Sequence, residues 1–215
     1  HHPTACPGSN LYSLIGTIRR EVAEEVQRLR DSEEKVVVIS PEPKQVAWGK
    51  TAWPNLLWGD DDLYAGAWGD SVYYSLIEFS LSTSVVNRQI TGLELSLTGQ
   101  SAVYLRDTGG AWQAVLLERP LRGQTTATIP FEMLRIASPI AVFSPSLSPG
   151  DLGQRLENRL AMDRSDLEKA QRAATSGYLA IRLEGPASGS QLFSWDSGYG
   201  RGGLLMKPVL TIRYL

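Results

Sequence analysis

Beyond residue 46 the apolar residues of this chain return at every second position, and that period limits what the chain can fold into. In Leu93-Glu94-Leu95-Ser96-Leu97 apolar and polar residues alternate strictly. Leu179, Ile181 and Leu183 repeat the pattern, and Leu210, Ile212 and Tyr214 do so against Val209, Thr211 and Arg213. A strand turns successive side chains to opposite faces, so this period describes strands with one buried face. Turn-forming residues punctuate the stretches 73–81, 90–98, 102–106, 112–117, 125–129, 140–143, 177–184, 191–195 and 208–214. Many short, mostly antiparallel strands make a sandwich of jelly-roll type. Phe79 and Leu95 are expected in its core. One interruption has helical spacing: Leu152, Leu156 and Leu160, then Leu167, Ala170 and Ala174. The expected fold is therefore mainly β, an antiparallel jelly-roll-like β-sandwich with an inserted helical segment at about 150–175.

The N-terminal part has a different period. Leu11, Leu14, Ile15, Ile18, Val22, Val26 and Leu29 recur at steps of three and four, one stripe of an amphipathic α-helix. Arg19, Arg20, Glu21, Glu24, Glu25, Arg28 and Arg30 take the other face. Pro7-Gly8 forms a tight turn before it, and Ser9 or Asn10 can cap the first turn. Residues 31–45 read as a linker, with a charged run, a short apolar stretch Val36-Val37-Val38-Ile39 able to add a strand to a sheet edge, and the breaker Ser40-Pro41-Glu42-Pro43. The organisation is then 1–30, a linker at 31–45, and a sandwich domain at 46–215.

Composition excludes several classes. With 21 Lys and Arg against 23 Asp and Glu, a net charge of -2, no nucleic-acid partner is expected. No apolar run approaches the length of a membrane span. The two histidines are His1 and His2, so the remainder cannot form a Ser-His-Asp triad, and no G-x-S-x-G occurs. Glu78, Glu94, Glu132, Glu184 and Asp196 offer no spacing that singles out a hydrolytic pair. The single cysteine, Cys6, cannot form an internal disulfide and is either a small apolar group, a nucleophile or a metal ligand.

Its surroundings carry a resemblance. Thr4-Ala5-Cys6-Pro7-Gly8-Ser9-Asn10-Leu11-Tyr12, followed by an amphipathic helix, resembles the C-terminal end of zinc-dependent N-acetylmuramoyl-L-alanine amidases, whose fold is shared with peptidoglycan recognition proteins. The resemblance implies that Cys6 is a zinc ligand of an intact parent enzyme. It implies that Thr4 donates a hydrogen bond to the substrate carbonyl as the oxyanion develops. It further implies a secreted, cell-wall-associated protein that hydrolyses peptidoglycan, and a chain that begins inside the catalytic domain. His1 and His2 do not stand at the family's ligand spacing, so residues 1–30 alone are expected to be inactive.

A second resemblance covers most of 46–215. Tyr74-Ser75-Leu76-Ile77-Glu78-Phe79-Ser80-Leu81, Ile90-Thr91-Gly92-Leu93-Glu94-Leu95, Gly177-Tyr178-Leu179-Ala180-Ile181-Arg182 and the closing Lys207 to Tyr214 resemble strands of DNRLRE-type β-sandwich domains, which are similar to carbohydrate-binding modules. Ser80 stands where that family has Asp, and its Asn-Arg-Leu-Arg signature does not occur. The resemblance implies peptidoglycan or another polysaccharide as partner. The alternative is a non-catalytic structural or adhesive surface protein.

Two loops carry the candidate chemistry. Asp60, Asp61 and Asp62, flanked by glycines, are either a calcium loop or a solvated acidic turn. In the stretch 193–203, either the aromatics stack on sugar rings, or one of Phe193 and Trp195 is core and the glycines form a long bulged turn. The aromatic side chains expected to meet a sugar face are Trp53, Trp58, Tyr64, Trp68 and Tyr199.

Overall fold

The computed structural model describes residues 8–105 and 109–215. Thr4 and Cys6 lie outside the described residues, and so does the Pro7 half of the expected turn. The chain divides into two units, one of the residues up to Lys35 with Leu215, the other Val36–Tyr214.

The first unit is a helix, α1, Gly8–Asp31. Its apolar stripe, Leu14, Ile15, Ile18, Val22, Val26 and Leu29, is exposed. Arg28 and Arg30 sit in the last turn, where cations oppose the negative end of the helix dipole, and Arg28 also pairs with Glu25 at 3.1 Å. No helix among the described residues is long and apolar enough to cross a membrane.

The second unit is built of strands β1 (Lys35–Ile39), β2 (Val46–Lys50), β3 (Leu57–Trp58), β4 (Asp62–Trp68), β5 (Ser71–Ser80), β6 (Ile90–Leu105), β7 (Gln113–Leu117), β8 (Pro139–Ser144), β9 (Glu157–Met162), β10 (Tyr178–Glu184), β11 (Gln191–Asp196) and β12 (Val209–Tyr214). Short helices α2 (Thr83–Val86), α3 (Phe131–Ile136) and α4 (Leu167–Ala174) connect them. Neighbouring strands run in the order β1-β12-β6-β11-β4-β5-β10-β7-β8-β9, and β9 returns to β6. The circuit from β6 to β9 is thus closed, and β12 with β1 extends from it. Closure leaves few free edges: among the described residues the stretch Val36 to Ile39 lies at one, and β3, which pairs with β2 alone, at another.

β6 serves both sheets of the sandwich. Its first half pairs with β12 and β9, and its second half, from Gly99, pairs with β11. The change of partner falls at Gly99, where a Cβ would collide with Gly153 O. The residues inside the circuit follow the sequence alternation. Phe79, Leu95, Phe143, Ile181 and Phe193 are fully buried, with Trp112 and Trp195 among them. A buried indole N–H needs an acceptor. Trp112 Nε1 donates to Ala65 O and Trp195 Nε1 to Asn158 Oδ1, each at 2.9 Å.

Three expectations are corrected. Residues 150–162 are not helical beyond a short 3₁₀ turn, Pro149–Asp151, and Glu157–Met162 is a strand with Asn158, Leu160 and Met162 buried. The leucine spacing of four misled because every fourth residue of a strand also shares one face. Only the later part, around Ala170 and Ala174, is the expected helix. Residues 125–129 form no strand. Thr125 to Thr128 are exposed, and the segment instead carries Ile129, Phe131 and Leu134 onto Ala47, Leu76, Val115 and Ala180 in a second apolar cluster. Residues 102–105 continue β6 rather than starting a new strand.

Two buried charges fix this covering segment. Glu78, on β5, accepts the backbone N–H groups of Leu121, Arg122 and Gly123 at 2.6, 2.9 and 2.8 Å. Arg182, on β10, donates to the carbonyls of Leu134 and Ala137 at 2.8 and 2.9 Å, closing the C-terminal end of α3, and pairs with Glu184. Each charge is thereby hydrogen-bonded as burial requires.

Candidate binding cleft

The richest set of aromatic side chains outside the main core gathers where β2, β4 and β5 meet. β2 supplies Trp48, and the turn after it brings Trp53 back, with Trp53 N donating to Lys50 O at 2.8 Å and Thr51 N to Val72 O at 3.1 Å. β4 supplies Tyr64 and β5 supplies Tyr73. The Trp48 ring centroid lies 4.5 Å from that of Trp53 and 4.7 Å from Tyr64, the latter edge-on at 72°. Tyr73 stacks on Trp48 at 6.0 Å, with the planes 22° apart. Such offset and edge-to-face contacts are the favoured ring geometries. Lys50 Nζ lies 5.2 Å from the Trp53 ring and 5.6 Å from that of Tyr73, a cation on both.

A cleft of about 320 Å³ opens beside this group, with Trp48, Tyr64, Tyr73 and the half-exposed Trp68 along one part and Asp60, Asp61 and Asp62 along another. Two of the carboxylates are held in place. Asp60 Oδ2 accepts the Trp48 indole N–H at 2.8 Å. Asp62 accepts the Ser194 hydroxyl at 2.6 Å and the Tyr64 hydroxyl at 3.1 Å. Asp61 lies against the glycine turn, and its backbone carbonyl accepts Ser197 N–H at 3.0 Å. Burial pushes the Asp62 carboxyl up from its ordinary value of 3.8, and the bonds from Ser194 and Tyr64 oppose that only in part. Burial and the neighbouring Asp62 raise the Tyr64 phenol further still, so it stays protonated as a donor. Gly66, between Tyr64 and Trp68 on β4, has a φ of 124° and leaves no room for a Cβ against Gln191 O.

Of the residues singled out in the sequence, the structure brings Trp53, Tyr64, Trp68 and the three aspartates to this place. Tyr64 and Trp68 belong to β4 rather than to a loop. Trp58 is elsewhere, with the Arg122 guanidinium 4.3 Å from its ring. Tyr199 is also elsewhere. Its hydroxyl donates to Pro41 O at 2.5 Å, and Lys207 Nζ stands 5.1 Å from its ring. Phe193 and Trp195 are both buried in the core, as two residues of one strand separated by one position must share a face. Trp48 and Tyr73 were not expected here. Tyr73 opened an expected strand, but β2 is too short for its alternation to show. Among the described residues no group of three or more His, Cys, Asp or Glu is arranged to hold a metal ion.

A larger groove, about 690 Å³, lies between the Glu118 to Pro120 turn and α4, but its walls carry Arg119, Lys169 and Arg172 and no aromatic ring. Ring faces bind through apolar area and polarity together, so the smaller cleft is the better-equipped one.

No protein-family model matches this chain, and no curated protein matches it. Among solved structures it is similar to a xylan-binding module, with 10% identity over 83% of this chain and 97% of that one, at a TM-score of 0.45. It is also similar to dimeric latent PorU from Porphyromonas gingivalis, with 10% identity over 84% of this chain and 12% of that one, at a TM-score of 0.31. A structure of infectious bursal disease virus, Gt strain, shares 13% identity over 85% of this chain and 38% of that one, at a TM-score of 0.27. At these scores the function is left to the geometry of the site itself.

Proposed function

We propose that the β unit is a polysaccharide-binding module and that the cleft beside Trp48 seats the glycan. The observation that carries this reading is the assembly of Trp48, Trp53, Tyr64 and Tyr73 next to Trp68, edged by carboxylates that can accept sugar hydroxyls. The faces of pyranose rings are lined with C–H groups and pack on aromatic rings, while their hydroxyls seek acceptors. Asp60 and Asp62 each already accept a bond from the protein, so they are oriented before any ligand arrives.

Peptidoglycan is the polymer to test first, because Thr4 to Tyr12 resembles the end of an amidase that acts on it. In that finer reading the module holds a secreted zinc amidase on the cell wall, and Cys6 belongs to the zinc site of the intact enzyme. The test is retention of the protein on purified peptidoglycan, cellulose and chitin, with Trp68→Ala and Trp53→Ala alongside. Retention that weakens in both variants supports the reading. A protein that stays in solution with every polymer instead marks a structural or adhesive surface domain.

A further inference from the structure

A second cleft, about 380 Å³, lies where the β6 strand meets the segment before β12, lined by Thr98, Arg155 and Gly203 to Met206. Among the described residues two non-glycine residues have positive φ, Arg155 and Leu205, each at 62°, and both line this cleft. Side chains other than glycine rarely adopt that conformation, and it persists only where the surroundings impose it. At Arg155 the imposition is visible. Its N–H donates to Gly99 O at 2.7 Å, while Gly99 N–H donates to Leu156 O at 2.9 Å. The exposed guanidinium has no carboxylate partner among the described residues. At the other wall Met206 N–H is anchored on the buried Asp196 carboxylate at 2.8 Å, which leaves the Leu205 and Met206 side chains exposed.

The turn that carries this wall is fixed from behind. Gln100 follows Thr98 by one alternation of β6 and is 8% exposed. Its Nε2 donates to Gly202 O at 2.9 Å, next to the lining Gly203, and its buried Oε1 has no hydrogen-bond partner.

Resting on the reading of the β unit as a polysaccharide-binding module, we propose that this cleft is a second saccharide subsite, one that takes a uronic-acid residue. The guanidinium of Arg155 matches a carboxylate in a planar, two-bond geometry. Behind the wall, the bond from Gln100 Nε2 to Gly202 O holds the turn next to the lining Gly203 before a ligand arrives. Leu205 and Met206 give the C–H face of the sugar an apolar surface. The observations are independent of the aromatic cleft, which has no arginine in its wall.

The test uses oligogalacturonate as probe, by calorimetry and by amide shift changes on the whole chain. Asn tolerates the left-handed conformation of Arg155, so Arg155→Asn removes the guanidinium and keeps the turn. Wild type is expected to bind the probe, with shifts at Thr98 and at Gly203 to Met206. Arg155→Asn should weaken binding roughly tenfold or more, as loss of a charge-assisted pair does. Arg155→Lys should fall between, and Arg164→Ala, at an exposed arginine that lines neither cleft, should bind as wild type does. A neutral oligosaccharide of the same length should leave these amides unmoved. The proposal is overturned if Arg155→Asn binds the probe as wild type does, if wild type does not bind it, or if inorganic phosphate displaces it at equal concentration.

Discussion

Replacing Glu78 by Gln should destabilise the β unit and leave glycan binding intact. The side chain is fully buried, and its carboxylate accepts N–H groups from three consecutive residues, Leu121, Arg122 and Gly123, at 2.6, 2.9 and 2.8 Å. Oε1 takes two of these bonds and Oε2 takes the third. In glutamine one of the two positions becomes an NH₂ group, which cannot accept. At least one backbone N–H is then buried against another donor, which costs about 1–3 kcal/mol, and the surviving bonds lose their charge assistance, for a total of roughly 2–4 kcal/mol. For a domain of this size that corresponds to a fall in Tm of roughly 5–15 °C. The assay is urea unfolding followed by tryptophan fluorescence, with an unchanged m-value showing that the same surface is exposed. The Arg122 contact with Trp58 should loosen as this loop does, yet affinity for a bound polysaccharide should hold, because neither residue lines the aromatic cleft. A change below about 0.5 kcal/mol would refute the role given to the three N–H bonds, since that is the range of ordinary surface substitutions.

Trp68→Ala should reduce polysaccharide affinity by about 2- to 10-fold, the worth of one stacked ring, with the unfolding midpoint unmoved because Trp68 is 45% exposed. Phe79→Ala should do the opposite, costing about 3–5 kcal/mol of stability while the folded protein still binds. Asp62 should titrate above an ordinary aspartate in a carboxyl-carbon NMR titration, since burial raises it. A raised carboxyl holds its proton more tightly in the folded state, so its contribution is greatest below the unfolded value and is lost as pH rises through the folded one. Asp62→Asn should therefore gain on wild type in thermal stability from acid towards neutral pH; a constant difference would contradict the shift. Removal of residues 1–34 should leave a cooperative thermal transition for the β unit, and a broad, gradual one would show that α1 is needed for its folding.

The main core was legible because burial in a closed circuit of strands imposes the period of two on both sequence and structure. Leu93, Leu95 and Leu97 fall on one face by alternation alone, and all three are buried. The errors arose where that period is ambiguous. Leu152, Leu156 and Leu160 satisfy both a helix and a strand, and only pairing of Leu160 with Leu95 decides between them. Thr125 to Ile129 has β-favouring residues but no partner strand, so its backbone runs over the surface of the second cluster. At the cleft, the carboxylates and Trp53, Tyr64 and Trp68 stood out as aromatic and acidic residues near glycines. Trp48 did not, because its place depends on the pairing of β2 with β5, which joins residues far apart in the chain. Trp58 and Tyr199 looked equivalent to the others by composition and differ only in what packs on them.

The most direct measurement is co-sedimentation of the purified chain with insoluble peptidoglycan, cellulose and chitin, run beside a double variant, Trp53→Ala and Trp68→Ala, shown to be folded by its unfolding transition. The account predicts that wild type leaves the supernatant with at least one of these polymers and that the double variant stays behind. Retention of the double variant to the same extent as wild type, or loss of wild type from none of the supernatants, would contradict a polysaccharide seat at the Trp48 cleft.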